Sequence, residues 1–161
     1  MYHRFGKSFY FLSIALFVFF LLYFYAALPE KVSYSLDSGA ELISRSSFFY
    51  GMIAAFIIIN LAVLLPPKLL ETKSNRSLSS VFPKGDNYRD YFLTWFYSFG
   101  GIINFSLAFL VFYTHALNNQ EELAASEYNL FFYLIPILFA VWVVSFFIIL
   151  VGKFTQVKNK S

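Results

Sequence analysis

Four long apolar runs, separated by short polar connectors, set the pattern of this chain. They cover roughly 8–28, 48–65, 91–117 and 130–151. A bilayer core is crossed by about 20 consecutive apolar residues in helical form, and each run is long enough. The pattern predicts an all-α membrane protein with four transmembrane helices arranged as two hairpins. Breakers mark the ends of the runs. Pro29 follows the first, and Pro66-Pro67 predicts a firm stop to the second. Asp37-Ser38-Gly39 reads as a turn in the first connector, and Phe82-Pro83-Lys84-Gly85-Asp86 as a turn just before the third helix. Pro136 predicts a kink or a freed carbonyl in the fourth helix, which exits near Lys153 and Phe154.

Inside the runs, small and polar residues recur at helical spacing. Ser47, Gly51 and Ala55 fall on every fourth position of the second helix. Thr94, Ser98, Gly101, Asn104, Ala108 and His115 gather within one third of the circumference of the third. Helices associate in lipid through close backbone approach and polar contacts, so these stripes are predicted packing or partner faces. Asn60 and Asn104 read as interhelical glue rather than as a ligand site, because no charge accompanies either. Depth matching pairs Asn104 with Trp142, whose buried indole N–H needs an acceptor. It places Asn60 level with Ser98 and Ser145.

Charge then adds an orientation. Of the 12 Lys and Arg, ten lie in the N-terminal tail, the middle loop and the C-terminal tail. Only Lys31 and Arg45 lie in the other two loops, beside Glu30, Asp37, Glu41, Glu121, Glu122 and Glu127. Cytoplasmic loops carry the Lys and Arg excess. Both termini and the middle loop are therefore expected in the cytoplasm. The first run is read as a retained helix, since it exceeds the apolar stretch of a signal peptide and Tyr25-Ala26-Ala27 makes a poor cleavage site.

Composition narrows the class. The chain has 161 residues, 13% charged and 59% hydrophobic, whereas soluble domains are about 25% charged. No connector can hold a separate domain, so residues 1–161 form one membrane domain. The net charge of +3 is explained by threading, with no nucleic-acid partner. Without cysteine there is no disulfide, iron–sulfur cluster or cysteine zinc site. No ionisable residue sits in the middle of a run, which argues against a proton-coupled transporter, a pump or a voltage sensor. His3 and His115 fall on opposite sides of the membrane. His115 with Glu121 and Glu122 is the one candidate metal group, and a plain helix-end histidine is the preferred reading. No catalytic triad, carboxylate pair or phosphate loop is placed for chemistry, so no enzyme, metal or cofactor is expected. The 23 Phe and 12 Tyr read as lipid-facing surface and interfacial belts. A quinone, pigment or acyl-chain site is the alternative for the Phe-rich surface. Tyr10-Phe11-Leu12-Ser13 and Tyr91-Phe92-Leu93-Thr94 echo each other, as do Phe48-Phe49-Tyr50 and Phe131-Phe132-Tyr133. Chance recurrence in so aromatic a chain is preferred over tandem duplication.

One segment carries a family resemblance. Tyr25-Ala26-Ala27-Leu28-Pro29-Glu30-Lys31-Val32, then Gly39, then Ser44-Arg45 and a new apolar run, resembles the outer loop of SdpI-type bacterial membrane proteins. It departs from that pattern at Tyr34 and Ser35, where the family has a histidine and an aromatic residue. The resemblance implies toxin immunity or signalling, and function is not carried over on it. The expectation is a non-catalytic protein of the bacterial inner membrane. It would be an accessory, assembly or regulatory subunit whose partners are lipids and other membrane-protein subunits, as a hetero- or homo-oligomer. The alternatives are a sensor or immunity-type protein, with Leu78, Phe82 and Tyr88 as a cytoplasmic contact loop, and the protomer of an oligomeric transporter or channel.

Overall fold

A computed structural model describes residues 2–34, 42–72, 80–119 and 125–159. The apolar runs become four helices, each extending beyond its run: α1 (Tyr2–Ala27), α2 (Arg45–Glu71), α3 (Asn87–Asn118) and α4 (Leu130–Lys158). All four are long and apolar enough to cross a membrane. The stop expected at Pro66-Pro67 does not occur, because α2 runs through both prolines to Glu71. Proline's fixed φ is compatible with a helix, and what it loses is one N–H donor. The final turn is held from outside. Pro67 and Leu70 are buried, and the Arg89 guanidinium donates to the Leu70 carbonyl at 2.8 Å. The turn before α3 is present: Asp86 N–H donates to the Pro83 carbonyl at 3.2 Å, and Gly85 takes φ +89°, which favours glycine. Asp37-Ser38-Gly39 lies outside the described residues. The fourth helix continues past Lys153 and Phe154 to Lys158.

The first turn of α1, the last turn of α2, the first turn of α3 and the last turns of α4 meet at one end. That end holds Arg4, Lys7, Lys68, Lys84, Arg89, Lys153 and Lys158 against Glu71, Asp86 and Asp90, and is called the basic end below. The far end is tied by a two-stranded antiparallel ladder that the all-α expectation lacks. In it β1 (Lys31–Val32) pairs with β2 (Ile43–Ser44), Val32 opposite Ile43. Strands of two residues are too short to leave a periodic signal. Arg45 fixes this end by donating its N–H to the Glu30 carbonyl at 2.9 Å and its guanidinium to the Leu28 carbonyl at 3.1 Å. Asn118 brackets Ser33, accepting its N–H and donating to its carbonyl, both at 2.8 Å.

Helix α3 is the hub, and its most extensive contact is with α1. Two adjacent glycines make that approach possible. A Cβ on Gly100 would lie 2.9 Å from the Tyr10 ring, and one on Gly101 2.3 Å from the Phe9 ring. Phe17, Leu21, Phe24, Met52, Ala108 and Val111 form the core among α1, α2 and α3, and Phe17 stacks on Phe56 at 4.5 Å. Helix α4 leans on α3, and Lys153 is its one buried residue.

Gly101→Leu is expected to displace Phe9 and destabilise the protein by about 1–3 kcal/mol, the usual cost of overpacking. Thermal unfolding in detergent measures it. Gly51→Leu, at a position where an added Cβ meets nothing within 4 Å, is expected to leave the midpoint in place.

Candidate functional site

An amide in hydrocarbon is costly unless paired, and the two asparagines of the spans pair with each other. The Asn60 amide donates to Asn104 Oδ1 and to the Phe56 carbonyl, each at 2.8 Å, while its own oxygen accepts the Tyr10 hydroxyl at 2.7 Å. Asn104 donates in turn to Ser13 Oγ at 3.1 Å, and Ser13 donates to the Tyr10 carbonyl at 2.6 Å. One closed network thus joins α1, α2 and α3 at a single depth, with Ser13 and Asn104 fully buried.

This overturns two expected pairings. Trp142 donates to Ser98 Oγ at 3.1 Å, not to Asn104, and Asn60 meets neither Ser98 nor Ser145. Ser98 and Asn104 stand at opposite edges of the α3 stripe, about 120° apart at 100° per residue. The stripe therefore serves two neighbours. Gly101, Asn104 and Ala108 are buried on the α1 and α2 side. Ser98, on the other edge, faces α4. There Trp95 answers Trp142 by donating to the Trp142 carbonyl at 2.8 Å and to Ser145 Oγ at 3.1 Å. Thr94 bonds back to the Asp90 carbonyl and lies against Gly6 of α1. His115 is buried, its ring 4.7 Å from that of Phe24. Glu121 and Glu122, its candidate metal partners, lie outside the described residues.

The stripe on α2 packs differently from that on α3. Ser47 and Gly51 are exposed and Ala55 is half-buried. The reason is geometric: Gly51 lies nine residues before Asn60, which is about 180° around the helix. Once Asn60 faces Asn104, the small residues must face away.

The basic end is a set of ion pairs that sequence reading missed. His3 pairs with Asp90. Lys7 lies 2.5 Å from Glu71, which also accepts the Tyr97 hydroxyl at 3.1 Å. Lys153 pairs with Asp86, both nearly buried, and donates to Gln156 at 2.9 Å. The Phe82 and Tyr88 rings, expected as a contact loop, face the Lys153 ammonium at 5.4 and 5.9 Å. Leu78 lies outside the described residues. Asp86 also caps α3, accepting the Tyr88 N–H at 3.0 Å. Burial pushes the Asp86 carboxyl up, but the Lys153 ammonium and the Tyr88 N–H outweigh it and hold it below the usual carboxylate range. A lysine two residues past the fourth apolar run was the signal available for this latch.

No protein-family model matches the chain, and neither does any curated protein or solved structure.

Asn104→Leu removes the centre of the network and leaves one Asn60 N–H without its acceptor. A loss of about 1–2 kcal/mol is expected, read as a lower unfolding midpoint in detergent. Lys153→Met leaves Asp86 buried without its cation and is expected to cost about 3–5 kcal/mol. The pair also sets a pH dependence. Because the folded carboxyl titrates below its unfolded value of about 3.9, its contribution is complete above that pH and is lost as pH falls through the folded value. The wild-type midpoint should therefore fall in acid, while Asp86→Asn starts lower and lacks that component.

Proposed function

We propose that this chain is a non-catalytic, multi-pass protein of the bacterial inner membrane and an accessory, assembly or regulatory subunit of a larger membrane complex. The helices run as two hairpins, with both termini and the α2–α3 link in the cytoplasm. The gathering of Lys and Arg at the basic end supports that orientation.

The observation that carries the subunit reading is the outward face of α2. Ser47 and Gly51 are the exposed part of a small-residue stripe that ends at the half-buried Ala55, and Gly51 has open space around it. A mid-helix glycine costs about 1 kcal/mol against alanine. Gly100 and Gly101 recover that cost through close contact with α1, and Gly51 recovers nothing within the chain. In lipid, a small-xxx-small face lets another helix approach closely, and a helix of a neighbouring subunit is the natural use for it. The Tyr10, Ser13, Asn60 and Asn104 side chains bond to one another and tie three helices together, which suits a scaffold better than a solute path.

The test is native mass measurement on the tagged chain extracted from its own membranes in mild detergent. A defined complex is expected. Gly51→Leu should dissolve it while leaving the unfolding midpoint of the isolated chain unchanged. A lone wild-type monomer overturns the reading, as does a complex indifferent to Gly51→Leu.

A further inference from the structure

Helices α1 and α4 flank α3 and leave a trough between them, floored by one side of α3. It contains two hollows. One, of about 500 Å³ toward the basic end, is lined by Tyr2, Trp95, Ser98, Val141 and Trp142. The other, of about 440 Å³ toward the far end, is lined by Phe9, Leu16, Phe105, Phe109 and Leu138. The serine hydroxyls along the trough are already used, while Tyr2 and Tyr91 bring phenols to its basic end. Ser98 donates to the Trp95 carbonyl, Ser106 to the Ile102 carbonyl and Ser145 to the Trp142 carbonyl. What remains is hydrocarbon and aromatic surface. The walls are held by specific contacts: Phe9 stacks on Phe105 at 5.4 Å and Phe109 on Phe131 at 4.5 Å.

We propose that this trough holds one acyl chain of an anionic phospholipid, with the headgroup at the basic end. Size selects the chain. A helix 10–12 Å across displaces roughly 400–600 Å³ per turn, so either hollow would be filled by a single turn of a partner helix. A helix running the length of the trough needs several times that space, whereas a linear hydrocarbon fits the width of each hollow, and the two lie along the same side of α3. Charge selects the headgroup. The described cations at the basic end outnumber its carboxylates, and each of those carboxylates already has a partner: Glu71 has Lys7, Asp86 has Lys153, and Asp90 has the His3 ring and the Tyr2 N–H. Arg4 and Lys84 enter no ion pair among the described residues, and Lys84 lines two polar hollows at the basic end, outside the apolar trough itself. An anionic headgroup is the complement of that excess. The inference is independent of the partner face on α2, which lies elsewhere.

The protein reports on this site by itself, since both of its tryptophans line the trough. The experiment titrates the delipidated protein in detergent with phosphatidylglycerol brominated along its acyl chains and follows tryptophan quenching. Saturation at one lipid per chain is expected. Lys84→Gln should weaken binding about fivefold, the effect of one cation at the headgroup end, and brominated phosphatidylcholine should bind more weakly still. Val141→Phe with Leu138→Phe should abolish saturable quenching without moving the unfolding midpoint. Quenching that rises without saturation, or that is equal for the two headgroups, overturns the proposal. Loss of quenching on self-association would assign the trough to a second copy and also overturns it.

Discussion

The paired amides of Asn60 and Asn104 are the constraint on which the rest of the structure depends. In a hydrocarbon environment helices can slide and rotate at little cost in apolar contact, since lipid tails offer the same surface as a neighbour. A side-chain amide removes that freedom, because its donors and acceptor must meet partners. Asn60 and Asn104 meet each other, Tyr10 and Ser13, and so fix the rotation and depth of three helices together. The glycine pair of α3 lies within one turn of Asn104, so the rings of α1 seat where the network holds the helices. The outward direction of the small α2 stripe is a further consequence, about half a turn from Asn60.

Helix α4 is held on different terms. It shares no part of the amide network and buries one side chain, Lys153. Its attachment is at separated points: a reciprocal pair of indole hydrogen bonds with α3, the Lys153–Asp86 pair, and aromatic contacts toward the far end. Point attachment explains the trough. A helix that packed along its whole length would close the space between itself and α1, whereas one pinned at intervals leaves hollows between the pins.

The sequence was legible where one physical scale dominates. Run length predicts the four helices, and the α3 stripe, read as a packing face, supplies Gly101, Asn104 and Ala108 to the core. It was less legible where partners had to be chosen. Six residues separate Ser98 from Asn104, and a stripe of that breadth faces two neighbours. Depth matching ranked Trp142 beside Asn104 because it ignores rotation about the axis. Tyr10 and Ser13 had no periodic signal, since a lone serine and one of 12 tyrosines look like surface until α3 is placed beside them. The prolines of α2 misled for a related reason. Local rules give the cost of a missing N–H but not the Arg89 and Leu70 contacts that make the next turn worthwhile.

Charge at the basic end performs two tasks, and this explains why the end is so crowded. Threading needs an excess of Lys and Arg but no particular geometry, so any loop position serves. Closure needs specific partners. Asp86 is at once the cap of α3 and the acceptor of Lys153, so the helix start and the α4 latch share one carboxylate. Glu71 likewise gathers Lys7, Lys68 and the Tyr97 hydroxyl at the end of α2. With Glu71 and Asp86 committed to closure, Arg4 and Lys84 add positive charge at this end without an ion pair among the described residues. The excess of Lys and Arg thus leaves the basic end electropositive beside helices whose mid-span polar groups are neutral amides and hydroxyls.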